Sequence, residues 1–274
     1  RVEMAIVEQK REKALFTLTD EHREMGDQAL RELGLPPDAW YVTLHVRQSG
    51  YHGEKSDNTS QDFRNANPKD YRDAIELIVR EGGWVFRLGD PSMTPLPKMP
   101  QVIDYAHHPI RSDWMDVFLG ATCRFLIGTA SGPLQIPRLF GGRVIFTNCA
   151  YALPYYGLRS EDLYLPRLLR RTSDGSLLSF SEMLSPPTST YWLTEQYARA
   201  GLQWVENSPD DLTAATAEML ERTTNSGSKT SRDDNLQRRF KKIAEECGIK
   251  YDGRPVKAFM PISRDFLNRH ANLL

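Results

Sequence analysis

The chain has 274 residues, 40% of them hydrophobic and 26% charged, with 35 Lys and Arg against 36 Asp and Glu for a formal net charge of −1. That is an ordinary globular composition, long enough to bury a sizeable core as one large domain or two small ones. The near-zero charge argues against a general nucleic-acid or anionic-membrane binder, and the widely spaced Cys123, Cys149 and Cys247 yield neither a disulfide framework nor a zinc site.

Odd, scattered cysteines fit a reducing compartment, and a cytoplasmic protein is expected. The longest apolar region, residues 117–140, is interrupted by Arg124 and Arg138, so no spanning helix is expected, and no signal peptide is visible. The chain opens with Arg1 rather than Met, which leads us to expect further domains upstream.

Residues 1–33 are charged and helix-favouring, with a helix over 19–33 capped by Thr19 or Asp20 and ended by Gly34 and Pro36. Residues 40–46 read as a buried strand. The polar stretch 47–67 is a long loop, of the kind that is usually functional or mobile in a compact domain. Asn67-Pro68 starts a helix through Arg80 that Gly82-Gly83 stops. A strand at 84–88 follows, then a proline-rich connection, then a short strand at 102–105. Ser112 caps a helix over 113–120 with acidic residues in its first turn. Next come a strand at 124–127, a turn with Ser131 as cap, a helix at 133–140 and a strand at 143–147.

Strands and helices alternating at this spacing predict an α/β fold with a parallel, doubly wound, Rossmann-like sheet over residues 40–150. A helical N-terminal segment (1–39) precedes it. Residues 151–274 are punctuated by prolines and are expected to wrap the same domain. They end in helices over 208–222, opened by a capping-box-like Ser208-Pro-Asp-Asp211, and 236–247.

Three predicted strand ends carry residues suited to an anion. The first ends in His45-Val46-Arg47, with His45 and Arg47 on one face; arginine offers a planar fork of donors for bidentate phosphate recognition. The second ends in Arg87-Leu-Gly-Asp90, where Arg87 either meets a phosphate or pairs with Asp90, and Asp90 is suited to accept from a ribose or a base. The third supplies Gly128, Thr129, Ser131 and Gly132, small residues that expose main-chain N–H groups where a helix begins. Asn148, directly after the 143–147 strand, completes the set.

Taken singly, each reads equally well as a surface arginine or a turn residue. Together, in a doubly wound sheet, they face one crevice and predict an anionic, nucleotide-like ligand. The long loop adds His52, Glu54, Asp57 and Asp62 as proton acceptors, with His52 and Glu54 nearest the crevice in sequence.

Competing motifs fail on spacing. Ser131 falls one place late for a Gly-x-Ser-x-Gly elbow, and the only downstream histidine is His270. Ser228-Lys229-Thr230 lacks both the glycine and the preceding strand of a Walker A loop, and no Gly-x-Gly-x-x-Gly occurs. The adjacent His107 and His108 read as a turn before Pro109. No Asp-x-Asp pair is present to hold a metal diphosphate, so neither a metal nor another cofactor is expected.

The combined pattern resembles a bacterial glycosyltransferase family whose members often carry tetratricopeptide repeats. The residues that carry the resemblance are Leu44-His-Val-Arg47, Gly83-Trp-Val-Phe-Arg-Leu-Gly-Asp-Pro-Ser-Met93, Val102-Ile-Asp-Tyr-Ala-His107, Ser112-Asp-Trp-Met-Asp-Val-Phe118 and Phe125-Leu-Ile-Gly-Thr-Ala-Ser-Gly132. A looser match runs from Asp162 to the Phe266-Leu267 tail. More distantly, the His-x-Arg strand end and the Gly-Thr-x-Ser turn resemble the donor-binding half of GDP-fucose-dependent fucosyltransferases, which have the two-lobed, metal-independent GT-B architecture.

The resemblance implies a nucleotide-sugar donor, GDP-linked in the fucosyltransferases. It implies that Arg47 contacts the distal phosphate, that His45 lies near the nucleotide, and that Thr129, Ser131 and Gly132 hold the diphosphate. Gln48-Ser49 stand where the fucosyltransferase pattern usually continues with a basic residue and an acid. The acceptor, a glycan, lipid or protein hydroxyl, is not specified. Two other readings fit the same residues: a nucleotide-sugar or glycan-binding module without turnover, and another nucleotide-sugar enzyme such as an epimerase or pyruvyl transferase.

Overall fold

The computed structural model describes residues 14–49, 59–150, 159–224, 231–248, 250–251, 254–255 and 260–274. The first half runs α1 (Asp20–Glu32), β1 (Tyr41–His45), α2 (Arg72–Arg80), β2 (Trp84–Arg87), β3 (Val102–Ile103), α3 (Asp113–Thr122), β4 (Leu126–Thr129), α4 (Gln135–Leu139) and β5 (Val144–Cys149), then β6 (Leu163–Pro166). All six strands pair in parallel, in the order β3-β2-β1-β4-β5-β6, with helices flanking the sheet in an α/β, Rossmann-like fold.

Strands β1, β4 and β5 are buried at every position. A parallel sheet covered on both faces has no solvent side, so these strands are near-continuous apolar runs rather than alternating ones. Polar positions within them find internal partners, as where the Thr147 and Tyr71 hydroxyls bond at 2.6 Å, with His45 Nδ1 an exception.

Local signals place the helices. Thr19 caps α1 by accepting from His22 N–H at 3.2 Å, and Ser112 caps α3 by accepting from Met115 N–H at 3.2 Å. The two helices meet at Gly26, where a Cβ would sit 2.0 Å from the Phe118 ring.

Further along come β7 (Leu168–Arg171), α5 (Phe180–Leu184), α6 (Thr194–Arg199) and β8 (Leu202–Val205). Strands β7 and β8 form an antiparallel ribbon. Helix α7 (Pro209–Thr224) opens with the expected reciprocal cap: Ser208 N–H donates to Asp211 Oδ2 at 2.9 Å and Asp211 N–H to Ser208 Oγ at 3.2 Å. Helix α8 (Ser231–Glu246), a two-strand ribbon of Lys250–Tyr251 with Arg254–Pro255, and α9 (Arg264–Arg269) end the chain. No helix among the described residues is long and apolar enough to cross a membrane.

Several boundaries differ from the sequence reading; the helix read from Asn67-Pro68, for one, opens as a 3-10 turn over Pro68–Tyr71 before α2. Strand β4 lies two residues later, because Gly128 and Thr129 remain in register with Phe146 and Thr147 instead of turning. The helix read at 133–140 is a 3-10 turn over Gly132–Leu134 followed by the short α4, where Pro137 contributes no main-chain N–H. Helix α8 starts at Ser231, five residues before the predicted 236. The sheet gains β6 beyond residue 150. Its outer edge is covered by the C-terminal segment, with Tyr164 N–H donating to the Pro261 carbonyl at 3.0 Å and Ser263 N–H to the Tyr164 carbonyl at 3.1 Å.

The β1–β4 pairing tolerates no side chain at Gly128, whose Cβ would fall 2.5 Å from the His45 carbonyl oxygen. Gly128→Ala is therefore expected to destabilise the fold by about 2 kcal/mol or more, read as a Tm lowered by several degrees. An unchanged Tm would show that the strands can part without cost.

Candidate functional site

Sheet order reverses between β1 and β4, with β2 and β3 to one side and β5 and β6 to the other. In open α/β sheets, ligands bind in the crevice beyond the carboxyl ends of the strands at this reversal. Here the flanking segments are His45-Val46-Arg47 and the turn that leaves β4. They are joined directly, since Arg47 N–H donates to Thr129 Oγ1 at 2.8 Å. Thr129 is thus the buried last residue of β4, and its hydroxyl is a tie between strand ends. Ser131 precedes the 3-10 turn without a side-chain cap bond, and Gly132 is open, with nothing within 4 Å of a Cβ built there.

The Arg47 guanidinium lies against the chain returning from residue 59. Its Nη1 donates to the Gln61 carbonyl at 3.2 Å and to Asn65 Oδ1, and Ala66 N–H donates back to the Arg47 carbonyl at 3.1 Å. Asn65 is oriented by its own amide, which donates to Asp62 Oδ1 at 2.9 Å. Arg64, which the sequence reading passed over, bridges to the β4 turn. Its Nη2 donates to the Ala130 carbonyl at 2.6 Å and its Nη1 to Gln61 Oε1 at 2.6 Å.

His45 is only 4% exposed and its Nδ1 has no hydrogen-bond partner. Burial, then the neighbouring Arg87 charge, push its pKa down to about 4; Arg47 acts in the same direction and Asp90 opposes it. The imidazole is therefore neutral at neutral pH.

Arg87 is fully buried and pairs with Asp104, not Asp90, with Nη1 3.0 Å from Asp104 Oδ1. Its Nη2 donates to Gln48 Oε1 at 3.3 Å and to the Thr94 carbonyl at 3.2 Å. Asp104 Oδ2 accepts from Leu96 N–H at 2.9 Å, so this ion pair pins the proline-rich connection over the β2 end. Asp90 forms the expected turn, with Oδ1 accepting from Ser92 N–H at 2.9 Å, and its Oδ2 is buried without a partner. Beside it opens a cleft of about 500 Å³ lined by Pro91, Ala106, His107, His108, Arg111, Ser112 and Asp113.

Asn148 is buried in a left-handed conformation (φ 48°) and held by internal partners. Its Nδ2 donates to the Tyr71 hydroxyl at 3.1 Å, and its Oδ1 accepts from Asn207 N–H at 2.8 Å and Arg167 Nε at 3.3 Å. Arg167 was not singled out from the sequence either. It pairs with Glu206 at 3.1 Å and donates to the main-chain carbonyls of Phe63 (2.5 Å) and Asn65, so it holds from behind the segment that faces Arg47. Nothing local marks it, because its partners come from three distant stretches of chain.

The structure thus brings together His45, Arg47, Thr129, Ser131 and Gly132, with Gly128 setting the strand approach, whereas Arg87 and Asn148 are engaged internally. His52, Glu54 and Asp57 lie outside the described residues. Among those described, no three His, Cys, Asp or Glu side chains converge as a metal cage requires. No family model, curated protein or solved structure matches this chain.

Because His45 takes up a proton far less readily when folded than when unfolded, its contribution to stability is full above pH ~6.5 and is lost as pH falls toward about 4. His45→Asn is expected to flatten the fall in Tm across that window. Identical Tm–pH curves for the variant and the wild type would refute the assignment.

Proposed function

We propose that this chain is a metal-independent glycosyltransferase of GT-B donor-domain type, binding a nucleotide-activated sugar at the β1–β4 reversal. The observation that supports this most is the direct bond between the two segments that carry the likeness to fucosyltransferases, Arg47 N–H to Thr129 Oγ1 at 2.8 Å. It ties the start of the half-buried Arg47 to the end of β4, at the position beyond the strands where such sheets bind nucleotides.

The chemistry assigned to these residues follows from charge. Sugar transfer from a nucleoside diphosphate builds negative charge on the leaving phosphate, and preorganised donors in a partly dry crevice stabilise it. Arg47 supplies a fork of charge-assisted donors, and the N–H groups at Ser131 and Gly132 supply further ones. His45, neutral, offers a hydrogen bond without adding charge. Asp90 is assigned to the nucleoside through its unpartnered Oδ2. Proton removal from the acceptor hydroxyl is assigned to His52 or Glu54.

A thermal-shift screen of the full chain against GDP, UDP, ADP, CMP and their sugars tests the reading, since a ligand at about a hundred times its Kd adds ~2.7 kcal/mol of stability. One nucleotide family should raise Tm, and Arg47→Ala should weaken its binding in calorimetry at least about tenfold with the fold intact. Unchanged affinity sinks the phosphate-clamp assignment. Binding without hydrolysis or transfer would instead mark a non-catalytic module.

A further inference from the structure

We propose that Arg64 is a second ligand-binding cation of this crevice, acting with Arg47 on a ligand group that carries two linked phosphates. The proposal rests on the nucleotide-sugar reading above and adds a residue that neither motif contains. Arg47 and Arg64 reach Gln61 from two directions, one at its main-chain carbonyl (3.2 Å) and the other at its side-chain oxygen (2.6 Å). The remaining branch of Arg64 is tied to the Ala130 carbonyl at 2.6 Å, inside the turn that leaves β4. Gln61 therefore spaces two guanidiniums, one anchored to the end of β1 and the other to the end of β4.

The charge balance around Arg64 is what separates it from a loop staple. Three arginines with nearly inaccessible side chains have carboxylate partners: Arg87 with Asp104 at 3.0 Å, Arg138 with Asp162 at 3.0 Å and Arg167 with Glu206 at 3.1 Å. Among the described residues no carboxylate pairs with Arg64. Its acceptors are neutral oxygens, and its Nε is buried with no partner at all.

Holding a guanidinium partly out of water without a counter-charge is unfavourable. An anion bound at the turn relieves this, and Nε–H is one of the donors still unused. A single phosphate meets one fork; two linked phosphates span both. Gly132, open on its side-chain face, leaves room at the turn for that approach.

The test is calorimetric titration of the full chain with pyrophosphate and with orthophosphate at fixed ionic strength. Wild type, Arg64→Gln, Arg64→Lys and Arg47→Gln are compared, each checked for an unchanged melting profile. We expect wild type to prefer pyrophosphate and Arg64→Gln to lose about tenfold in pyrophosphate affinity but less than about twofold for orthophosphate. Arg64→Lys, which keeps the charge but not the fork, should recover part of the preference. Arg47→Gln should weaken both probes.

If Arg64→Gln keeps the full preference, or loses both probes in parallel, Arg64 is only a structural tie and the pairing is overturned while the nucleotide-sugar reading stands. If wild type binds neither probe and no nucleoside diphosphate, that reading falls and takes the pairing with it.

Discussion

The parallel pairing of β1 with β4 is the constraint on which the rest depends. With these strands adjacent, the order of the sheet reverses at their junction, and it is beyond the carboxyl ends at such a reversal that open α/β sheets bind ligands. The pairing is close enough that the His45 carbonyl fills the space a side chain on Gly128 would take. One step beyond the sheet it continues as the bond from Arg47 N–H to Thr129 Oγ1. A threonine that could have been a ligand contact is instead the fastener that fixes where the arginine begins.

A charged scaffold behind the crevice does the remaining positioning. Arg87 and Arg167 lie on either side of the β1 and β4 ends, each paired with one carboxylate and each donating as well to main-chain or amide oxygens. In both pairs it is the arginine that is buried, so removing the carboxylate leaves a buried charge uncompensated. Their structural effect is to tie segments outside the sheet to its carboxyl ends. Arg87 orders the proline-rich connection, and Arg167 orders the stretch from Phe63 to Asn65. The aromatic ring of Phe63 packs on that same stretch's far side against Tyr197 and Trp204, with centroids 5.7 and 6.1 Å away.

Most of the sheet was legible in the sequence because a doubly covered parallel strand is a near-continuous apolar run, as the stretches 40–46 and 143–147 are. Capping residues Thr19, Ser112 and Ser208 were legible for an equally local reason. Strand β6 was not, because it is four residues long, ends in Pro166 and owes its burial to the segment around Ile262 nearly a hundred residues later. At the site, the placing of Arg47 and the β4 turn at neighbouring strand ends could be inferred, since it follows from the strand pattern alone. The engagement of Arg87 with Asp104, and the arrival of Arg64 and Arg167, could not, since a long side chain chooses its partner in three dimensions and nothing in its neighbours encodes the choice.

Asn148 shows how narrowly one position can be specified. Its backbone sits where glycine, asparagine and aspartate are the least strained residues. Its side chain must both donate to Tyr71 and accept from Asn207 and Arg167. Glycine meets the first demand and abandons three partners; aspartate keeps the shape but has no proton for the tyrosine and brings a charge into the interior. The backbone and the side chain each permit a few amino acids, and the two sets share a single member. A site that shows only one letter across variants can therefore be a joint, set by geometry far from any chemistry.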